Sequence, residues 1–164
     1  MNHEVFWTLI DNARKDGRGM QEGMCEALAE ALTAMNANEV AGFDRVFREL
    51  QAAAYRWDLW GAAHVVDGGC SDDGFEHFRN WLIGMGRRTY DAAMAEPDSL
   101  ASAPWLLVED GVHEFESLAY VAGTCTRRRR VGRRCRTGCG WLRRRRGMSS
   151  TSRMWRRCGG GTRG

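Results

Sequence analysis

The sequence predicts an all-α fold: a compact bundle of about six helices over residues 1–122, followed by a disordered Arg/Gly/Cys-rich tail over residues 123–164. Three observations lead there. Apolar residues recur at spacings of three and four from Val5 to Tyr120, which is the period of one helix face. No alternating run of β-branched residues appears that would mark a strand. Finally, the charge breaks: through Glu116 the chain carries all 21 Asp and Glu against nine Lys and Arg, a formal balance of −12. After Ala122 it carries 15 Arg and no acid, which brings the whole to +3. The average therefore describes neither part.

The first helix is expected to start at an Asn2 cap with Glu4 in its first turn, and to present Val5, Phe6, Leu9, Ile10 and Ala13 on one face. Gly17 and Gly19 break it. Met24, Leu28, Ala31, Leu32 and Met35 line a second helix that ends around Asn36. Asn38 is expected to cap a third, with Glu39 beside it, and Phe43, Val46, Phe47, Leu50, Ala54 and Trp57 carry its apolar stripe. A short fourth helix reaches Val66 before Gly68 and Gly69 stop it. Ser71 is the N-cap of a fifth, with Asp72 and Asp73 placed to suit the helix dipole. That helix buries Phe75, Phe78, Leu82 and Met85. A sixth runs from Arg87 to Ala95 and is stopped by Pro97. Pro104 falls in a loop, and Glu109–Tyr120 reads as a last helix.

The tail is composed differently. Gly, Thr, Cys, Arg, Val, Trp, Leu, Met and Ser are its only residue types. Such a set is what GC-rich codons give when read out of register, so the tail reads as a frameshifted acidic ending. Its few apolar residues follow no period and cannot bury a core. Arg127–Arg130, Arg133, Arg134 and Arg143–Arg146, with Trp141 and Trp155, form a basic tract that would hold phosphates without sequence preference. Cys125, Cys135, Cys139 and Cys158 lack the paired knuckle spacing of structural zinc modules.

The body is long enough for one core, burying about two-thirds of its unfolded surface. No stretch approaches the ~20 apolar residues of a membrane span. MNHEVFW has neither the basic nor the apolar region of a secretion signal, so the chain reads as cytoplasmic. The acidic body disfavours anionic membranes and sequence-specific nucleic acid, and favours a basic partner.

The most informative stretch is Ala54–Arg87. With Phe6, Trp7, Leu9, Ile10, Asp11, Ala13 and Arg14, the blocks Tyr55–Ala63, Gly68–Arg87 and Glu96–Ala101 resemble the bacterial family called domain of unknown function 4240, common in actinobacteria. The resemblance spans residues 4–122, still holding at Phe115–Ala122. It implies a small helical domain and no particular activity. Members typically continue into an acidic helix, from which the Arg-rich tail departs.

Several constellations bear on chemistry. Trp57, Trp60 and Trp81 with Tyr55 and Phe78 read first as core aromatics and second as a ligand pocket. Trp57 and Trp60, three apart, share a helix face. Asp58, Asp67, Asp72, Asp73 and Glu76 form a carboxylate cluster of the kind acid–base and hard-metal chemistry uses. Capping by Ser71, Asp72 and Asp73 and pairing of Asp58 with Arg56, Arg79 or Arg87 explain it more simply. His64, Cys70 and His77 suggest a metal or a Cys–His nucleophile only weakly, because no third group follows. Arg56, Arg79, Arg87 and Arg88 are expected to lock helices through carboxylates, with an anion as the alternative.

The leading reading is a non-enzymatic helical protein-binding or regulatory module with a protein partner, no cofactor, no bound metal and no catalytic residue. Its candidate binding residues are Tyr55, Arg56, Trp57, Asp58, Trp60, Asp72, Asp73, Arg79, Trp81 and Arg87. Two alternatives stand beside it. One is a small-molecule or metal-dependent enzyme or sensor using the Asp58–Glu76 region. The other is nonspecific nucleic-acid binding through the Arg-rich tail.

Overall fold

The computed structural model describes residues 1–102 and 113–130, and the described residues are helical without a strand. In order they form α1 (His3–Asp16), α2 (Gln21–Ala34), α3 (Ala37–Ala53), α4 (Trp57–Val66), α5 (Asp72–Gly84) and α6 (Arg87–Ala95). Two 3₁₀ segments follow, Pro97–Ser102 and Glu116–Tyr120, and then α7 (Val121–Arg130). Residues 131–164, which carry the rest of the basic tract and Cys135, Cys139 and Cys158 of the zinc reading, lie outside the described residues, as does Pro104, whereas Cys125 and Arg127–Arg130 fall in α7.

Local signals set most boundaries. Asn2 caps α1 by accepting from the Val5 amide at 2.9 Å. Phe6, Ile10 and Ala13 line its buried face, joined by Trp7 rather than Val5, which stays 44% exposed on the edge of the stripe. Gly17 allows α1 to meet α2 backbone to backbone. A Cβ there would lie 2.3 Å from the Met24 amide nitrogen, and one at Gly23 would lie 2.9 Å from the Gly17 carbonyl oxygen. Arg18 and Gly19 take left-handed conformations (φ 54° and 77°) to turn the chain between the two helices.

The cap of α3 is Asn36, not Asn38. Asn36 accepts from the Glu39 amide at 3.0 Å, and the Glu39 carboxylate takes the Asn36 amide at 2.7 Å. This reciprocal capping box needs Glu three residues after the cap, a spacing Asn38 does not have. Accordingly α2 ends at Ala34. The stripe of α3 is buried from Val40 to Leu50, but Trp57 does not belong to it: the helix ends at Ala53, and extended backbone at Arg56 starts α4 afresh.

Ser71 caps α5, its hydroxyl accepting from the Gly74 amide at 3.0 Å. Ser71→Ala is expected to cost about 1 kcal/mol, read as a lower urea midpoint; an unchanged midpoint would remove the cap from the stability of α5. Gly86, at φ 91°, separates α5 from α6, where a side chain would strike the Asp11 carboxylate.

The expected last helix, Glu109–Tyr120, is corrected where it is described. Residues 113–115 are irregular, residues 116–120 form a 3₁₀ segment, and the α-helix is α7. The Phe115 amide donates to the His77 carbonyl at 3.1 Å, which ties this segment to α5 and replaces the hydrogen bond a helix would have made. The boundary expected at Ala122 falls inside α7. Cys125 is buried at 4% exposure, packed near Ala29 and Thr33 of α2, so the apolar period carries past the last acidic residue. Phe6, Phe43, Phe75 and Phe78 are among the fully buried centres of the core, each worth about 1.5–3 kcal/mol relative to exposure.

Candidate functional site

The aromatic and charged residues between Tyr55 and Arg79 come together where α4 meets α5. The rings form a ladder. Trp57 stacks on Trp60 with centroids 5.3 Å apart and planes at 10°. Trp60 in turn stacks on Phe75 at 5.0 Å and 6°. Tyr55 closes on Trp60 at 6.0 Å and on Phe75 at 5.8 Å. The Arg79 guanidinium lies 4.9 Å from the Tyr55 centroid and 5.0 Å from that of Phe75, within cation–π range of both.

Burial divides these residues sharply. Phe75 is fully buried and Trp60 half-buried, whereas Trp57 is 84% and Tyr55 55% exposed. The core reading therefore fails for Trp57 and Tyr55, because α4 is a separate helix that turns its first residue outward. Trp57, Gly61 and Val65, at successive four-residue steps, are all exposed, and Val65 is 81% exposed. Only Leu59 and Ala63 of this mostly apolar helix are buried. A helix apolar on nearly every side normally finds cover on every side.

The carboxylates flank the ladder, and most are engaged. Arg56 grips Asp58 through both Nε (3.1 Å) and Nη2, and its Nη1 donates to the Met94 carbonyl at 2.7 Å. That guanidinium holds the Asp58 carboxyl below its ordinary range. The Tyr55 hydroxyl reaches Asp72 at 3.4 Å. Asp73 is exposed in the first turn of α5. Asp67 meets His113 at 2.6 Å, with the His113 side chain 2% and the Asp67 side chain 9% exposed, and it also accepts from the His113 amide at 3.2 Å. This buried contact is the polar feature the sequence did not disclose, since it spans 46 positions. Among the described residues, no group of three or more His, Cys, Asp or Glu is placed to hold a metal ion.

The remaining candidates lie apart from the ladder. Trp81 is buried at 6% exposure and packs on Phe78 (5.3 Å) and edge-on to His113 (4.8 Å, 75°). Arg87 joins helices, as expected, through Glu4 of α1 at 2.5 Å and Asp91 at 3.3 Å. Arg79 does not use a carboxylate. Its Nε donates to the Phe75 carbonyl (3.2 Å) and its Nη1 to that of Gln51 (2.9 Å), so it secures the end of α3 instead. Burial lowers its pKa, with the acids around Glu76 opposing.

His64 Nδ1 accepts from the Cys70 amide at 3.1 Å, while the Trp60 indole donates to the Cys70 carbonyl at 3.1 Å. Both contacts fix the Gly68–Ser71 turn. Burial first, then the charges of Asp67 and Glu114, push the Cys70 thiol up, away from the thiolate that nucleophilic chemistry needs. His77 faces Glu114 at 3.8 Å.

A cavity of about 510 Å³ opens elsewhere, between the end of α1, the start of α2 and the end of α5. Of the ten candidate binding residues, only Trp81 lines it. No helix among the described residues is long and apolar enough to cross a membrane.

A family model described as a protein of unknown function (DUF4240) matches residues 1–127. The match takes in α1 to α6, the ladder and most of α7. No curated protein matches the chain, and no solved structure does.

Proposed function

The chain belongs to the DUF4240 family, and from that starting point we propose that it is a non-enzymatic cytoplasmic docking module that holds a basic protein segment on the exposed face of α4. The observation that carries this reading is Trp57: an indole 84% exposed, yet held flat on Trp60 at 5.3 Å. An ordered, solvent-facing aromatic gives a partner a large contact area at little entropic cost. Tyr55 and Val65 extend the patch along α4, and contiguous exposed apolar surface of this kind marks interaction sites. Asp58, Asp72 and Asp73 border it, and the body carries a formal −12 through Glu116. Charge of that sign selects a partner bearing Lys or Arg, whose cations also suit the Trp57 face.

The test is site-specific photocrosslinking from position 65 in producing cells, using the full chain. Wild type is expected to capture a discrete protein whose contacting peptide carries Lys or Arg beside an apolar residue. Trp57→Ala should abolish that capture while shifting stability by no more than about 0.5 kcal/mol, as for other surface changes. Capture of the same peptide by Trp57→Ala refutes the reading. So does a homodimer that Trp57→Ala dissolves, which would make the face a contact between copies of this chain.

A further inference from the structure

We infer that the cavity between α1, α2 and α5 is a binding site for a small organic carboxylate with an apolar body. The site is distinct from the α4 face and independent of the function proposed for it. Its size, about 510 Å³, lies in the range of small-molecule pockets. Its floor is apolar and closed: Met24, Trp81 and Phe115 are each less than a tenth exposed, and Met85 forms a half-buried wall. Its other lining is cationic. Arg14, Lys15 and Arg18 contribute three of the nine Lys and Arg found before Ala122, in a body that is otherwise strongly acidic.

None of the three cations makes a close ion pair, although the Asp11 carboxylate and the Arg14 guanidinium both lie beside Gly86. Among the described residues, no salt bridge within 4.0 Å involves Arg14, Lys15 or Arg18. Arg14 and Lys15 sit in the last turn of α1, where positive charge suits the helix dipole. The dipole accounts for the sign of the charge but leaves Arg14 unexplained, because its Nε is buried without any hydrogen-bond acceptor. A buried donor left unmet is costly. The side chain of Arg14 lines a cavity large enough to admit an acceptor for the rest of the guanidinium.

The chemistry of the acceptor follows from the donor. A guanidinium presents paired N–H donors in a planar fork that matches the two oxygens of a carboxylate. Lys15 and Arg18 at the rim add attraction at short range, and together with Arg14 they outnumber the neighbouring Asp11 and Asp16, while salt screens acids beyond about 10 Å. Met24, Met85 and Phe115 offer no donor or acceptor for a second polar group, and the Gln21 amide already donates to the Glu114 carbonyl, so the body of the ligand is mainly hydrocarbon. Met20, 63% exposed, stands at the mouth.

Octanoate is the probe, with octanol, octylamine and inorganic phosphate as comparators, titrated calorimetrically into the full-length protein. Octanoate is expected to bind and to raise the melting temperature. Octanol and octylamine should bind about tenfold more weakly or worse, since each lacks the acceptor pair, and phosphate should leave the melting temperature unchanged. Arg14→Gln should lose about tenfold in octanoate affinity. Met20→Glu, a change at an exposed position, should abolish binding by placing a carboxylate at the mouth, with circular dichroism unchanged. It carries the test if Arg14→Gln does not fold. No heat and no melting shift with millimolar octanoate overturn the proposal. Equal affinity for octanol, or wild-type affinity in Met20→Glu or in a folded Arg14→Gln, overturns it as well.

Discussion

Trp81→Ala is expected to destabilise the domain by about 3–5 kcal/mol, the usual cost of truncating a buried indole. Trp81 is 6% exposed, lies against Phe78 and the edge of His113, and forms part of the floor of the cationic cavity. Truncation therefore removes contacts to α5 itself and to the 113–115 segment, and leaves a void that the fixed helices cannot close. Small domains hold only about 5–15 kcal/mol in total, so the variant should sit near the limit of folding. Chemical denaturation of Trp81→Ala beside Trp57→Ala gives the control within one residue type: the first midpoint should fall steeply and the second hardly at all. Equal losses would mean that exposure does not separate the two indoles.

That contrast also shows which parts of this protein are legible in its sequence. Both tryptophans fit a helical period, and period alone sends both to the core. The difference lies in a break of three residues between α3 and α4, where Arg56 adopts extended backbone and resets the phase of the stripe. No glycine or proline marks that break. Where a residue with a strong local effect does mark a boundary, the element is readable: Asn2 before α1, Ser71 before α5, Gly86 before α6 and Pro97 after it. At Asn36 and Asn38 two capping residues compete, and the choice falls to the one with Glu at the third position. The composition break at Ala122 is a real feature of the sequence, but charge does not end a helix. Cys125 still finds an apolar seat near Ala29 and Thr33, and α7 runs on through it.

The candidate site is legible in part for the same reason. Spacing of three placed Trp57 and Trp60 on one face, and their rings do stack. Pairing of Asp58 with Arg56 followed from proximity in the chain. Contacts across long stretches of sequence carry no such signal. Asp67 meets His113 only because the 113–115 segment docks on α5. The cavity joins Arg14, Met24, Trp81 and Phe115, which share no period and no motif. Arg14 was visible only as one letter of the opening helix, and its buried Nε becomes evident once the neighbouring helices are in place.

Arg79 is the case in which sequence chemistry suggested the wrong kind of partner, and it supports the second large effect. An Arg in an acidic chain invites a carboxylate, yet Arg79 spends its donors on backbone carbonyls of Phe75 and Gln51. The last carbonyls of a helix have no partner within it, and sequence is silent on which side chain will serve them. At the end of α3, Arg79 takes Gln51, and the Tyr90 hydroxyl takes Leu50 at 2.7 Å. Burial of Tyr90 pushes its phenol up to about 12, which keeps the donated proton in place. Two opposing terms decide the value of Arg79. Burying a guanidinium without a counter-charge costs free energy, and removing it would recover that cost. Against this stand two hydrogen bonds from a charged donor, each worth about 1.5–3 kcal/mol, and two ring faces at about 5 Å that favour the cation. The contacts outweigh the desolvation, so Arg79→Met should destabilise by about 2–4 kcal/mol. Arg79→Lys should recover less than half of that, because an ammonium lacks the planar fork that reaches both carbonyls while lying over two rings. Tyr90→Phe combined with Arg79→Met should be non-additive, since both side chains cap one helix end. Urea midpoints of wild type, Arg79→Met, Arg79→Lys, Tyr90→Phe and the double variant measure all of this. An Arg79→Met variant as stable as wild type would show that desolvation cancels the contacts, and the capping role would fall.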